Sequence, residues 1–197
     1  PLLAAIEDQQ QVLELEQLIR FYVNPARYFM QHRLKAYLKI QDIEENEDEP
    51  FHLDALTRYQ LKEQLLIAIQ EKSLDNFIAR LKLSGKYPYG AFGDMEVNEL
   101  VQQSRIMAAG LDEYTQQTLA ATNIDLQLDE GRLQAWLQLT NSQLHLVYHL
   151  GMLSAGKKMT AWLSHLALCA QGYGVETHVL SFKNTKSNIL LTHVLEI

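Results

Sequence analysis

Apolar residues recur at three- and four-residue steps through the first half of this 197-residue chain and at alternate positions through much of the second. The pattern predicts helices followed by strands. Leu13, Leu15, Leu18, Ile19 and Tyr22 give a first helix one apolar face, and that helix stops near Asn24. A second begins at Pro25, because Asn24 can cap a helix and proline suits its first turn. Its stripe runs Ala26, Phe29, Met30, Arg33, Tyr37, which places Arg33 beside apolar neighbours, where it needs a partner. Thr57-Arg58-Tyr59-Gln60 fits a capping box and opens a helix through Leu61, Leu65, Leu66 and Ile69. Ser73 is the expected cap of the next, with Phe77, Ile78 and Leu81 inward and Gly85 just past its end.

The turn-rich stretch KYPYGAFG, Lys86 to Gly93, marks a change of style. Asp94 to about Gln117 reads as helix, with Gly110 a candidate interruption. Three short runs follow, Asn123 to Leu128, Leu133 to Leu139 and Leu144 to His149, separated by Asp129-Glu130-Gly131 and Thr140-Asn141-Ser142. This is the arrangement of a three-stranded meander. Ala155 to Gly172 is a helix with Met159, Trp162, Leu163, Leu166 and Cys169 as its expected core stripe, and strands follow at Val175 to Phe182 and Ile189 to Leu195. The fold class is α+β: a helical part over residues 1–93 and an α/β core over 94–197, within one domain.

Hydrophobic content of 47% and charged content of 21% suit a globular core. No apolar run approaches the eighteen or so residues of a membrane span, and PLLAAIEDQQQ lacks the basic region and cleavage pattern of a signal peptide. One cysteine, Cys169, forms no internal disulfide, in keeping with a cytoplasmic setting. The net charge of −7 disfavours a free-standing nucleic-acid binder, but the charge is unevenly placed. Arg20, Arg27, Arg33, Lys35 and Lys39 occur with no acid among them, and six acids between Asp42 and Glu49 follow with no base. The basic set is either a solvated helix surface or a contact for DNA or a partner; the acidic run reads as a solvated loop.

Several blocks then point to a family. LIRFYVNPARYFMQHRL at Leu18 to Leu34, DEPFHLDALTRYQ up to Gln60, PYGAFG at Pro88 to Gly93, the strand around Trp136 and AWLSHLALCA at Ala161 to Ala170 resemble, in order, the C-terminal domain of RecC proteins. These are the gamma subunits of exodeoxyribonuclease V. The order of elements in the second half also matches the αβββαβ core of the PD-(D/E)xK nuclease fold, which the resemblance leads one to expect here. Nucleases of that fold hold Mg²⁺ with carboxylates at the ends of adjacent strands and add a lysine, because a hard cation takes oxygen ligands and must activate water. Laid on that pattern, Ala135 stands at the glycine, Gln138 at the first acid, Val147 at the second acid, Tyr148 between, and His149 at the lysine. Thr160 and Ser164 stand where active relatives carry a glutamine and a tyrosine. Gln134 to Leu150 contains no Asp or Glu, so a one-residue slip changes nothing.

Other chemistries lack their residues. The histidines form no Cys-His cluster, and the one H-x₃-H spacing, His145 to His149, falls on an expected strand, which holds the two rings too far apart to share one ion; no phosphate-binding Gly-x-x-x-x-Gly-Lys loop is present, and Cys169 lies in an apolar stripe that disfavours a thiolate. The resemblance implies a chain with no catalytic residue, metal or cofactor of its own, in a complex whose partner subunits supply ATP and Mg²⁺ chemistry. Its partners would be the beta and alpha subunits of exodeoxyribonuclease V and the DNA within the complex, with no membrane; Arg20, Arg27, Arg33 and Lys35 are the candidates for DNA or partner contact. The work implied is splitting duplex DNA, guiding its strands and supporting the other subunits during double-strand break repair and recombination. A full gamma subunit is several times longer than this chain. Two alternatives stay open: a metal-dependent nuclease with a migrated carboxylate, from Glu96, Glu99 or Asp125, and a pure protein-interaction module.

Overall fold

The computed structural model describes residues 11–37, 53–84, 90–114, 121–129, 131–184 and 188–196. The acidic run, Lys39, Gly85 and the first half of the KYPYGAFG turn lie outside these residues. Among the described residues the chain opens with a strand, β1 (Gln11–Glu14), which the helical pattern conceals, and then α1 (Leu15–Val23) and α2 (Pro25–His32). Asn24 separates the two helices as expected, its side chain accepting the Arg27 backbone N–H at 3.0 Å. The second helix is shorter than its apolar stripe suggests. The Ala36 N–H folds back to the Met30 carbonyl at 2.9 Å and Lys35 takes a left-handed φ of 53°, so Arg33 caps the helix and Tyr37 lies beyond it.

The next helices are α3 (Ala55–Gln70), α4 (Leu74–Leu83) and α5 (Ala91–Asp112). The capping box is displaced: Asp54, not Thr57, caps α3, accepting the backbone N–H groups of Leu56 and Thr57, both at 2.8 Å, while the Thr57 hydroxyl donates to the same carboxylate. An ionised acceptor serves two orphan donors where a threonine serves one. Ser73 holds the expected position before α4, but its hydroxyl bonds back to the Ala68 carbonyl rather than capping. α5 runs through Gly110 without a break. A side chain at Gly110 would land 2.4 Å from Leu190 Cδ2, so the glycine serves the approach of a strand, not a kink.

The described strands form two sheets of three. β2 (Ala121–Leu128) and β3 (Gly131–Gln138) pair antiparallel, and β1 adds parallel to the other edge of β3. β4 (Leu144–Met152) leaves this sheet. It pairs parallel with β5 (Glu176–Phe182), which pairs antiparallel with β6 (Leu190–Leu195). The expected meander is therefore two strands, not three. A tight turn, with Thr140 and Asn141 N–H groups on the Leu144 carbonyl, redirects the chain, and α6 (Ala155–Ala170) supplies the crossover that a parallel β4–β5 pair requires.

Three apolar clusters hold these layers together. Leu15, Ile124, Leu133, Leu139 and Leu168 join α1 and α6 to the first sheet. Leu66, Met107, Leu111, Leu150, Leu180 and Phe182 join α3 and α5 to the second, while Leu61, Leu65, Val97 and Leu100 bind α3 to α5. The change of style near Gly93 is thus no packing boundary: β1 belongs with β3, and α3 packs on elements from both sides. The face of α6 also differs from its expected stripe. Ala161, Ser164, His165 and Leu168 are buried at helical steps, whereas Trp162 is 38% exposed.

Candidate functional site

Two places concentrate the residues singled out in the sequence. The first is the set of positions laid on the nuclease pattern in the sequence. Gln138 ends β3, opposite Ala121, and is exposed. Val147 and His149 lie on β4 opposite Val179 and Ser181 of β5. No strand pairing joins Gln138 to the other two, because β3 and β4 belong to different sheets. Burial pushes the His149 imidazole down to about 4, helped by Lys157, so it is neutral near pH 7, unlike the lysine of the nuclease pattern. Its Nε2 and the Oγ of Ser181 across the strand pair are both buried without a hydrogen-bond partner among the described residues. Thr160 donates its hydroxyl to the Gly156 carbonyl at 3.0 Å, and Ser164 is buried.

The acids that could compensate are engaged elsewhere. Glu96 is buried, and its carboxylate accepts from the Arg58 guanidinium and, at 3.2 Å, from the Leu53 N–H. Glu99 lies 3.5 Å from the same guanidinium. Asp125 accepts from both Nε and Nη2 of Arg132, a two-pronged contact that holds its carboxyl below the usual range. Glu96 and Glu99 thus clamp α5 to the start of α3, and Asp125 bridges β2 and β3. Among the described residues no three His, Cys, Asp or Glu side chains are grouped to hold a metal ion.

A buried polar cluster went unread in the sequence. His145 of β4 and His165 of α6 each place Nδ1 3.1 Å from the Thr177 hydroxyl of β5. One hydroxyl has one proton, so one imidazole accepts it through a bare Nδ1, which keeps that ring neutral, and the other donates from a protonated Nδ1. Burial lowers both, and His165 further lowers His145, to about 4. The half-buried Cys169 thiol sits 3.8 Å from His165 Nε2, a neutral ring that cannot stabilise a thiolate by charge. Lys62 was also missed. Its ammonium is buried against the Leu150 carbonyl at 3.1 Å, and desolvation followed by the nearby Arg58 lowers it to about 8. Both signals lay in the pattern: Lys62 shares the stripe of Leu65 and Leu66, and His145, Val147 and His149 alternate on one face.

The second place is the hairpin of α1 and α2. Arg20, Val23, Asn24, Arg27, Tyr28, Gln31 and His32 line a cleft of about 320 Å³. Arg20 pairs with Glu16 at 2.6 Å on the open surface. Two of the four candidate contact residues, Arg20 and Arg27, meet here, whereas Arg33 and Lys35 lie past the end of α2 and do not line the cleft. Phe21, Tyr22 and Phe29 on the same hairpin are 43%, 51% and 48% exposed, an unusual outlay of aromatic surface.

A model of the RecC C-terminal domain matches residues 10–197. The protein named RecBCD enzyme subunit RecC of Escherichia coli (strain K12) is 31% identical over 175 residues, 88% of this chain. The one of Buchnera aphidicola subsp. Schizaphis graminum (strain Sg) is 24% identical over 172 residues, or 87%. The chain spans 16% of the length of either relative. With the domain model matched along nearly its whole length, this chain belongs to the RecC C-terminal domain family.

Proposed function

We propose that this chain is a non-catalytic DNA-handling and scaffold domain of an exodeoxyribonuclease V, RecBCD-type helicase–nuclease, with a core descended from the PD-(D/E)xK nuclease fold. The relatives are named as subunits of the RecBCD enzyme, which supports membership of such a complex. The observation that carries the non-catalytic reading is the filling of the nuclease positions: an amide at Gln138, an alkyl group at Val147 and a neutral imidazole at His149. A hard cation needs anionic oxygen at those places. The migrated-carboxylate alternative is weakened because Glu96, Glu99 and Asp125 each already answer an arginine.

In this role the chain holds no cofactor, and ATP and Mg²⁺ act in the beta and alpha subunits. Its work is to guide the separated strands and support those subunits in double-strand break repair and recombination, in the cytoplasm. No helix among the described residues is long and apolar enough to cross a membrane. The scaffold half is supported by exposed apolar surface, notably the groove of about 540 Å³ where Met159 and Trp162 of α6 face Val194 and Leu195 of β6.

Calorimetric titration with Mg²⁺ or Mn²⁺, run beside a nuclease assay on linear DNA, tests the reading. We expect no saturable metal binding and no cleavage. Cleavage that disappears in Glu99→Gln would replace it with the enzyme reading.

A further inference from the structure

We propose that the cleft between α1 and α2 is a stacking site for one unpaired nucleotide of single-stranded DNA. The inference rests on the DNA-handling reading above and narrows it to a form of DNA and a place on the chain. Three independent features of the cleft converge.

The first is a flat aromatic platform. Tyr28 and His32, one helical turn apart on α2, stack with ring centroids 4.1 Å apart and planes 17° apart. Phe21 of α1 meets Tyr28 edge-on at 5.7 Å and 84°, which fixes the inner ring from the side. His32 is exposed, so the stack ends in an open face. A base laid on that face extends the stack by one layer. Every base has such a π-face, and in duplex DNA both faces are occupied by neighbouring base pairs, so an open ring selects an unpaired base.

The second is charge. Arg20 and Arg27 line the same cleft, and no acid occurs from Phe21 to Tyr37. Glu16 forms an exposed pair with Arg20, and a pair so open to water exchanges for a phosphate at little cost. Among the described residues the lining of the cleft is therefore cationic, in a chain of net charge −7. The third is size and polarity. A volume of about 320 Å³ is at the lower end of small-ligand sites, about 300–1,000 Å³, and takes one base-sized unit. Gln31 adds an amide with both donors and an acceptor for a base edge.

The test uses the 197-residue chain and an oligodeoxythymidylate carrying one 2-aminopurine, whose fluorescence falls when it stacks on an aromatic ring. Titration is expected to quench the probe at least about two-fold. His32→Ala and Tyr28→Ala should each weaken binding roughly ten-fold, the usual weight of one base–aromatic stack, and abolish the quench, while Tyr28→Phe keeps both. Arg27→Ala should lower the slope of log affinity against log salt by about 0.7, one phosphate contact on a single strand. Should Tyr28→Ala fail to fold, His32→Ala decides, since its exposed ring supports no core. Binding without quenching, or His32→Ala binding as tightly as the parent, overturns the proposal. Tight binding of a duplex or fork with none of the oligonucleotide overturns it and leaves the DNA-handling reading standing; no binding of any DNA overturns both. Variants that bind the oligonucleotide normally but lose the partner subunits would assign the cleft to protein contact and also overturn it.

Discussion

Glu96 is 9% exposed and brings a charge into the interior, so that charge has to be answered there. Arg58 and the Leu53 N–H answer it. Glu96→Gln keeps the shape but removes the ionic half of the contact, and should destabilise the chain by about 2 kcal/mol. Urea unfolding checks this; an unchanged midpoint would free Glu96 for another role. The histidines make the opposite case, polar groups buried without charge. His145 has a folded pKa of about 4 against 6.5 in an unfolded chain, so the two states carry the same charge above pH 6.5. As pH falls from 6.5 to 4, the unfolded chain takes up a proton that the folded one refuses. Stability is therefore lost through that window, by roughly 3 kcal/mol for His145, with His149 adding in the same direction. Urea midpoints measured between pH 7 and pH 4 should fall steeply below 6.5, and the His145→Asn variant should show a shallower fall.

Helix boundaries were legible where a side chain does its own capping and illegible where the backbone does the work. Asn24 illustrates the first: both its identity and Pro25 announce α2, and Asn24→Ala should cost about 1 kcal/mol, with Asn24→Asp largely neutral. Hydrogen exchange in α2 should quicken in the alanine variant before the core is affected. Lys35 illustrates the second, since a lysine gives no warning that its residue turns left-handed and ends a helix. The expected stripe of α6 followed hydrophobicity alone and so chose Trp162 and Met159. The buried face instead uses Ala161 and Ser164, small enough to pack closely, and His165, whose polarity Thr177 satisfies. Gly110 looked like a break because glycine weakens helices. Only the fold reveals Leu190 above it, a side chain whose Cδ2 would have to turn aside for any Cβ placed at Gly110.

At the scale of the molecule, the strands and helices of the second half were readable from periodicity, but their pairing was not. A meander and a split into two sheets begin with the same three runs. What separates them is the turn at Thr140 to Leu144 and the distant partner β5, neither of which alternation reports. β1 was hidden for a similar reason: its four residues continue the apolar spacing of α1, and its partner β3 lies over a hundred residues away. The absence of acids between Gln134 and Leu150 was plain in the sequence. That the remaining candidates Glu96, Glu99 and Asp125 are tied to Arg58 and Arg132 required the structure. In the function proposed for it, the chain is a nuclease-like body that handles DNA and does not cut it. Its most direct test is a mobility-shift titration of end-labelled forked DNA with this chain in Mg²⁺ over a range of salt. The account predicts a shift that weakens as salt rises, and a label recovered at full length. Shortened labelled products, or no shift at any salt, would contradict it.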